Sequence, residues 1–436
     1  MKKVVLSLAG VLAAAAFAPE ASALPVFARQ TGMACNACHF NHAPLLNGFG
    51  RAFKSAGYTM MGAQGKIEGE NLSIPDTVNM GILTTVGYEK VQNSQGAWAV
   101  PSSGGELSIF YGGRITENMG FLSELGTGGG SAATGAAKIL WMPEVAEGYK
   151  LGLVVDTNNG QGVAHGFEIL NTGAVNVHKI AIGQTHINAY SAAQWMGTNN
   201  ATTGLSLVGQ NDKGYFNFSA YDVAPQSLGA GATNMPLHYG RVAALFDAAG
   251  FDMGAGVQRW YGNTNGIQFN AAQPTMLAGT FDATVFDVQA LGDIAGLSTG
   301  LFASYGVAPV GSAFGQGSTP GAAANATVLA NATPNAFKAK SLNFGMDMSI
   351  GHELIARAGL RTAKNGLDGL TDNAVMFGLI YEYAQNVELH LTHTNNFGDH
   401  YNPAKIDAAL GLAAGTTAAT AGQGKATTSI LAEILF

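Results

Sequence analysis

Charge is scarce in this chain of 436 residues: Asp, Glu, Lys and Arg make up 11% of it, against 47% hydrophobic residues. A soluble domain carries roughly 25% charged residues. Cysteine is scarcer still, with two in the whole chain. Two cysteines cannot build a disulfide framework, so covalent bridges do not hold this fold. Long apolar runs are missing too. After the first 23 residues no stretch is long and apolar enough for a membrane-spanning helix. The formal charge is −7, and no basic patch marks a nucleic-acid surface. Despite 60 glycines, no glycine-rich phosphate loop opens a helix, and no G-x-S-x-G element is present. The histidines and acids show no metal-ligand spacing beyond the motif described below.

The chain begins Met1-Lys2-Lys3, runs apolar from Val4 to Ala18, and reaches Ala21-Ser22-Ala23. A basic start, a short apolar core and an A-x-A site predict a secretory signal peptide over 1–23, cleaved near Ala23. Removing Lys2, Lys3 and Glu20 leaves 19 basic and 27 acidic residues, a net charge of −8.

High apolar content without apolar runs means that the apolar residues are dispersed. From Val78 onward they are dispersed at period two. Val78, Met80, Ile82, Val86 and Tyr88 share one strand face. Leu342, Phe344, Met346, Met348 and Ile350 share another, as do Val375, Phe377, Leu379, Tyr381 and Tyr383, and Val387, Leu389 and Leu391. Similar patterns predict strands at 107–113, 119–126, 149–156, 178–188, 204–210, 214–222, 237–247, 251–261, 281–291 and 297–305. The opposite faces are polar or glycine, as on strands that separate lipid from an aqueous lumen. Some connections are very short, as at 247–250; others, such as 310–336 and 402–425, are long and rich in Gly, Ala, Asn and Thr. This pattern predicts a mainly β fold, an antiparallel transmembrane β-barrel in the lipid of a bacterial outer membrane. A soluble sandwich would need several domains to use so many strands, and no linker after residue 77 divides the chain. The 359 residues from 78 to 436, at roughly 22 per strand with its connection, give about 16 strands, with 14 to 18 as the range. The final Phe436 on an alternating strand resembles the assembly signal of such barrels.

Residues 24–62 differ in kind. Both cysteines stand in Cys35-Asn36-Ala37-Cys38-His39, and C-x-x-C-H is the attachment signature of a c-type haem. Cys35 and Cys38 are the thioether sites of one covalent haem c, and His39 is the proximal iron ligand. One short helix is expected around Cys38–His39, stopped near Pro44. A second is expected over Leu45–Ser55, with Gly57 just past its end. A segment of about 40 residues builds little core by itself and needs the haem and a wall to lean on. A polar linker, 63–77, follows.

The sixth haem position has several candidates. Met60 and Met61 follow the second helix, and a thioether ligand raises a haem potential. Packing against haem or wall is the alternative role for both. His42 is the rival; on a continuous helix it points to the same side as His39, which leaves it a propionate contact or an exposed base. Met33 stands too near the attachment site. Arg29, Arg51 and Lys54 are candidate partners for the haem propionates, or for acids on the inner wall. Scattered barrel residues such as Glu124, His178, His186, Asp347 and His390 read as lumen-facing polar groups.

Together, Phe27-Ala28-Arg29-Gln30-Thr31-Gly32, the CNACH motif, Pro44, Phe49-Gly50-Arg51, Phe53-Lys54 and Gly57-Tyr58 resemble the haem segment of fused monohaem cytochrome–porins, the outer-membrane ferrous-iron oxidases of iron-oxidising bacteria. The match covers 24 to about 60, and the barrel agrees in architecture. Phe40-Asn41-His42 is similar to the iron-oxidase branch. The resemblance implies Fe²⁺ as electron donor and a periplasmic c-type cytochrome as acceptor. Porin with a haem-bearing plug, and haem conduit for another donor or acceptor, are the competing functions. An apolar band about 25 Å tall is too high for one haem to bridge from either surface. The haem segment is therefore expected inside the lumen, partly plugging it.

Overall fold

The computed structural model describes residues 25–62, 64–70, 72–92, 95–126, 134–173, 187–199, 201–223, 235–270, 273–315, 334–351, 353–414 and 426–436. The segment 1–23 expected as a signal peptide, His178 and His186 lie outside the described residues.

Sixteen antiparallel strands close into one barrel. In chain order they are β1 (Met80–Val91), β2 (Leu107–Thr116), β3 (Met119–Gly126), β4 (Thr134–Trp141) and β5 (Tyr149–Asn159). Then come β6 (Ala201–Asn211), β7 (Gly214–Asp222), β8 (Leu237–Ala248), β9 (Phe251–Asn270), β10 (Gln273–Ile294) and β11 (Leu297–Ala308). The last are β12 (Ala339–Ser349), β13 (Leu354–Lys364), β14 (Asn373–Ala384), β15 (Val387–Phe397) and β16 (Ala426–Leu435). Each strand pairs with its sequence neighbour, and β16 closes on β1 from Thr427 opposite Val91 to Leu435 opposite Leu83. Closure leaves no unpaired strand edge facing lipid, the condition for a sheet to span a bilayer.

One end of the barrel has tight turns. Ala249-Gly250 and Ala295-Gly296 both take positive φ at the two central residues, the hairpin turn whose twist matches the strands. The other end carries the long connections, which identifies it as the outer end. Outward positions are apolar, among them Leu153, Phe218, Val242, Phe286, Phe344, Phe377, Leu391 and Ile430. Inward positions are polar and buried, among them Asn217, Arg241, Gln258, Asp287, Asp347, Arg357 and Arg361. In water this would be an inside-out protein; in lipid it places each surface against matching solvent.

The lumen is filled from both ends. From the turn end enters the segment 25–62, with helices α1 (Pro25–Thr31), α2 (Cys35–Cys38) and α3 (Gly48–Ser55). From the outer end fold 160–173 and 187–199, with α4 (Ile187–Tyr190) and α5 (Ala192–Trp195). The α1 and α3 side packs through Phe27, Phe53 and Tyr58 against Leu140, Val154, Phe167, Leu170 and Val208. Leu45 packs with Tyr190, Phe302 and Met376. The wall thus supplies the core that 40 residues lack. A further helix, α6 (Pro403–Leu410), lies in the last outer connection.

Thirteen of the expected strands match observed ones, to the residue at 119–126 and 214–222 and with shifted ends elsewhere; β9 runs nine residues past the expected 261 and β10 starts eight before the expected 281.

 The terminal strand, β16, makes a fourteenth. The strand expected at 178–188 lies outside the described residues over 178–186, and its last two residues, from Ile187, open α4 instead. Two strands went unread, β4 and β13. In β13 the outward column holds Ala356, Ala358 and Thr362, and the inward one Ile355 and Ala363, so small and apolar residues blur the alternation.

Candidate functional site

The site is built on α2 and α3. Asn47 organises both. Its side-chain Oδ1 accepts from Gly50 N at 2.9 Å, capping α3. Its Nδ2 donates to the carbonyls of Asn36 and Ala37, each at 3.1 Å, and its backbone N–H donates to Cys38 O at 3.0 Å. α3 then lies directly on α2. A Cβ at Gly50 would stand 2.1 Å from Cys38 O, so the two helices meet this closely because position 50 has no side chain.

Cys35 and Cys38 form no disulfide and are each half-buried, and burial raises the Cys38 thiol above its ordinary value. α2 ends at Cys38, and His39 is extended, bridging to Leu46. His39 Nδ1 stands 3.2 Å from Leu45 O. With its proton on Nδ1 directed at that carbonyl, the lone pair is on Nε2, the arrangement of a metal-ligating histidine with its outer partner. Burial pushes its pKa down to about 4, against the Leu45 carbonyl and Glu388, which act the other way. The ring is therefore neutral at ordinary pH. Two thiols outside any disulfide and an oriented neutral imidazole are the donor set that a haem c requires, so the residues fit the group.

Because α2 stops at Cys38, the continuous-helix geometry expected for His39 and His42 does not occur. His42 is buried, its Nε2 2.8 Å from Asp347 Oδ2 and 3.1 Å from Arg357 Nη2, its Nδ1 2.6 Å from Ala43 O. Both ring nitrogens are engaged, and His42, the candidate distal ligand or haem contact, is tied here between the segment and the wall. Asp347 also accepts from the Tyr190 hydroxyl and from Arg357 Nε. Asn41 Nδ2 adds bonds to the carbonyls of Ser298 and Asp347.

The expected propionate partners divide. Arg51 Nη2 sits 2.7 and 2.6 Å from the two oxygens of Asp252 on β9, an acid on the inner wall. Arg29 donates to the Met80 carbonyl at the mouth. Lys54 has no such fixed use: burial lowers its pKa to about 8, opposed by Glu168. Met60 and Met61 are tied to α1, since Gln30 Nε2 donates to the carbonyls of Tyr58 and Met60 at 2.6 and 2.8 Å. Met60 lines a cavity of about 750 Å³ with Gly48, Arg51, Ala52 and Ser55. At 100° per residue those positions lie on the face of α3 opposite Gly50, hence opposite Cys38. Met61, half-buried, is the methionine not committed to that cavity.

Sequence reasoning missed the anchors. Asn47 was legible as a helix cap before Gly48. The pairing of His42 with Asp347 and Arg357, over 300 residues away, left no local signal. Wall acids also gather near the histidine. Register places Glu382 opposite Glu388 and Glu388 opposite Glu433 on β14, β15 and β16, with His390 Nε2 3.1 Å from Glu388. No three of the described residues are arranged to hold a metal ion by themselves.

No family model matches the chain, and no curated protein does. Among solved structures, it is similar to a loop-deletion mutant of OmpT, an outer membrane protein of Vibrio cholerae, at 10% identity over 83% of this chain and 99% of that one, with a TM-score of 0.47. A mutant of the Rh. blastica porin gives 10% identity over 83% and 100%, with a TM-score of 0.48. OmpT expressed in the outer membrane gives 9% over 85% and 100%, with a TM-score of 0.42.

Proposed function

We propose that this outer-membrane barrel moves electrons through one covalent haem c held in its lumen, taking them from Fe²⁺ outside and releasing them to a periplasmic c-type cytochrome. The observation that carries the reading is the placement of CNACH inside the barrel, with His39 oriented by Leu45 O at 3.2 Å. When bound, the haem supplies the one-electron couple. The chain's own residues do the rest. Cys35 and Cys38 fix the group to α2. Leu45 O aims His39. The rigid bracket of Asn47, Gly50 and the His42–Asp347 anchor sets the depth of the site within the wall. Glu382, Glu388 and Glu433 make the adjoining wall acidic, which favours a divalent cation over an anion.

Plain solute transport is supported less well. Segments from both ends occupy the lumen, and side chains inside it are tied to the wall by Arg51–Asp252, His42–Asp347 and Trp195–Asp372 bonds. Stopped-flow mixing of Fe²⁺ with the oxidised holoprotein tests the proposal. The expected result is reduction of the haem, seen in its α-band, with a rate that rises with Fe²⁺. A haem that stays oxidised across the pH range where the barrel is folded overturns it. Solute flux into liposomes that is unchanged on deleting 25–62 favours a porin instead.

A further inference from the structure

On the neighbouring strands β12 and β13 the outward face is apolar along most of its height and ends, at the outer side, in lysine. On β12 the outward column runs Met348, Met346, Phe344, Leu342 and then Lys340. On β13 it runs Leu354, Ala356, Ala358, Leu360, Thr362 and then Lys364. The register sets Lys340 directly opposite Lys364, and both are exposed. The ten steps from Leu354 to Lys364 span about 34 Å of strand, or about 26 Å of height at a tilt of about 40°. An outer membrane's apolar band is about 25 Å tall. Tyr381, opposite Leu354, marks the lower edge of that band. The lysine pair therefore stands where the upper edge gives way to headgroups.

Like charges directly opposite each other on a sheet repel. Elsewhere on this face charge is answered from within: Arg259 on β9 meets Asp282 on β10 at 2.7 Å and donates to Thr284. Among the described residues no carboxylate forms an ion pair with Lys340 or Lys364. The undescribed segments after residue 24 contain no Asp or Glu at all, so they cannot supply one. Directly below the pair, the outer wall has an apolar hollow of about 590 Å³, bounded by Phe344, Leu360 and Phe377 and floored by Ala303 and Ala358.

We propose that Lys340 and Lys364 bind the phosphate headgroup of an anionic lipid of the outer leaflet, whose acyl chain lies in the hollow beneath. The two ammonium groups match a phosphate in charge, and the small residues below leave room for a chain. The phosphate relieves the repulsion that the register builds into β12 and β13.

The test uses the full-length holoprotein in phosphatidylcholine bilayers with spin-labelled phosphatidic acid or spin-labelled phosphatidylcholine as the probe. The wild type is expected to hold phosphatidic acid preferentially, and less so at high salt. The double variant Lys340→Gln, Lys364→Gln is expected to weaken that preference about 30-fold, from the strength of surface lysine–lipid attraction. Lys340→Glu, which pairs with Lys364 internally, keeps the heat-resistant barrel and loses the preference, so it reads the site even where the double variant folds poorly. Equal preference in wild type and variants overturns the proposal. Two further outcomes do the same: full displacement of the lipid by inorganic phosphate at matching concentration, which makes this a free-anion site, and a change in oligomeric mass on removing the lysines, which makes it a protein interface.

Discussion

Asp347→Asn removes one charge on which the seating of the haem segment depends. In the wild type, Asp347 is fully buried and receives His42 Nε2 at 2.8 Å, Arg357 Nη2 at 2.9 Å and Nε at 3.3 Å, and the Tyr190 hydroxyl. The carboxylate thus joins the segment from the turn end to α4 from the outer end, on strand β12. An amide keeps the shape but leaves Arg357 as a buried cation with no countercharge. Breaking a buried pair from one side costs about 3–5 kcal/mol. At about 1.4 kcal/mol per decade, the open, undocked state rises by a hundredfold to a few thousandfold. The readout is the labelling rate of Cys35 and Cys38 in haem-free protein, where neither is in a disulfide. Labelling should accelerate, with that factor as the upper bound because both thiols are half-buried in the docked state, while the strand signal in circular dichroism stays put. The paired replacement Asp347→Leu with Arg357→Met removes both charges and should label within about tenfold of wild type, because an apolar pair of similar volume is nearly neutral. Equal labelling in Asp347→Asn and wild type would refute the anchoring argument. So would a paired variant as fast as the single one, since the cost would then not come from a stranded charge.

Other expectations follow from the same geometry. Met61→Leu should lower the haem potential and remove any methionine–iron absorption, whereas Met60→Leu should change neither, since Met60 faces the cavity on the far side of α3; potentiometric titration of both decides. Asn47→Ala loses a helix cap worth about 1 kcal/mol together with the bonds to Asn36 and Ala37, and should lower the yield of covalent haem measured by its pyridine spectrum. Glu388→Gln with Glu433→Gln should raise the Fe²⁺ concentration needed for half-maximal reduction several-fold, with the haem spectrum unmoved; a changed spectrum with unchanged iron dependence would contradict the acidic-wall reading. His400, buried at the outer end, is 2.6 Å from Asp368. Burial works against its charge, but Asp368 and Asp372 outweigh it and raise the pKa above 6.5. Its contribution is complete below that unfolded value and is lost as pH rises through the higher folded one, so hydrogen exchange in 399–410 should quicken on going alkaline and not on going acidic.

What the sequence determined by itself was whatever is periodic or contiguous. Period-two alternation from Val78 specifies strands, because side chains on a strand alternate between two solvents. Scarce charge without long apolar runs specifies that one of those solvents is lipid. CNACH supplies two thiols and a histidine at the spacing that haem attachment chemistry needs, and the haem proposal starts from that. Strands β4 and β13 escaped because Ala, Gly and Thr weaken the contrast between faces. Only the tertiary structure decided the rest. It set His42 on Asp347, turned Met60 from the attachment side, gave Arg51 to Asp252, and brought Lys340 opposite Lys364. Each of these depends on strand register or on the seating of the segment against a wall hundreds of residues away in sequence. A one-residue shift in register would turn every inward group outward, so no local pattern could have specified which partners meet in the lumen.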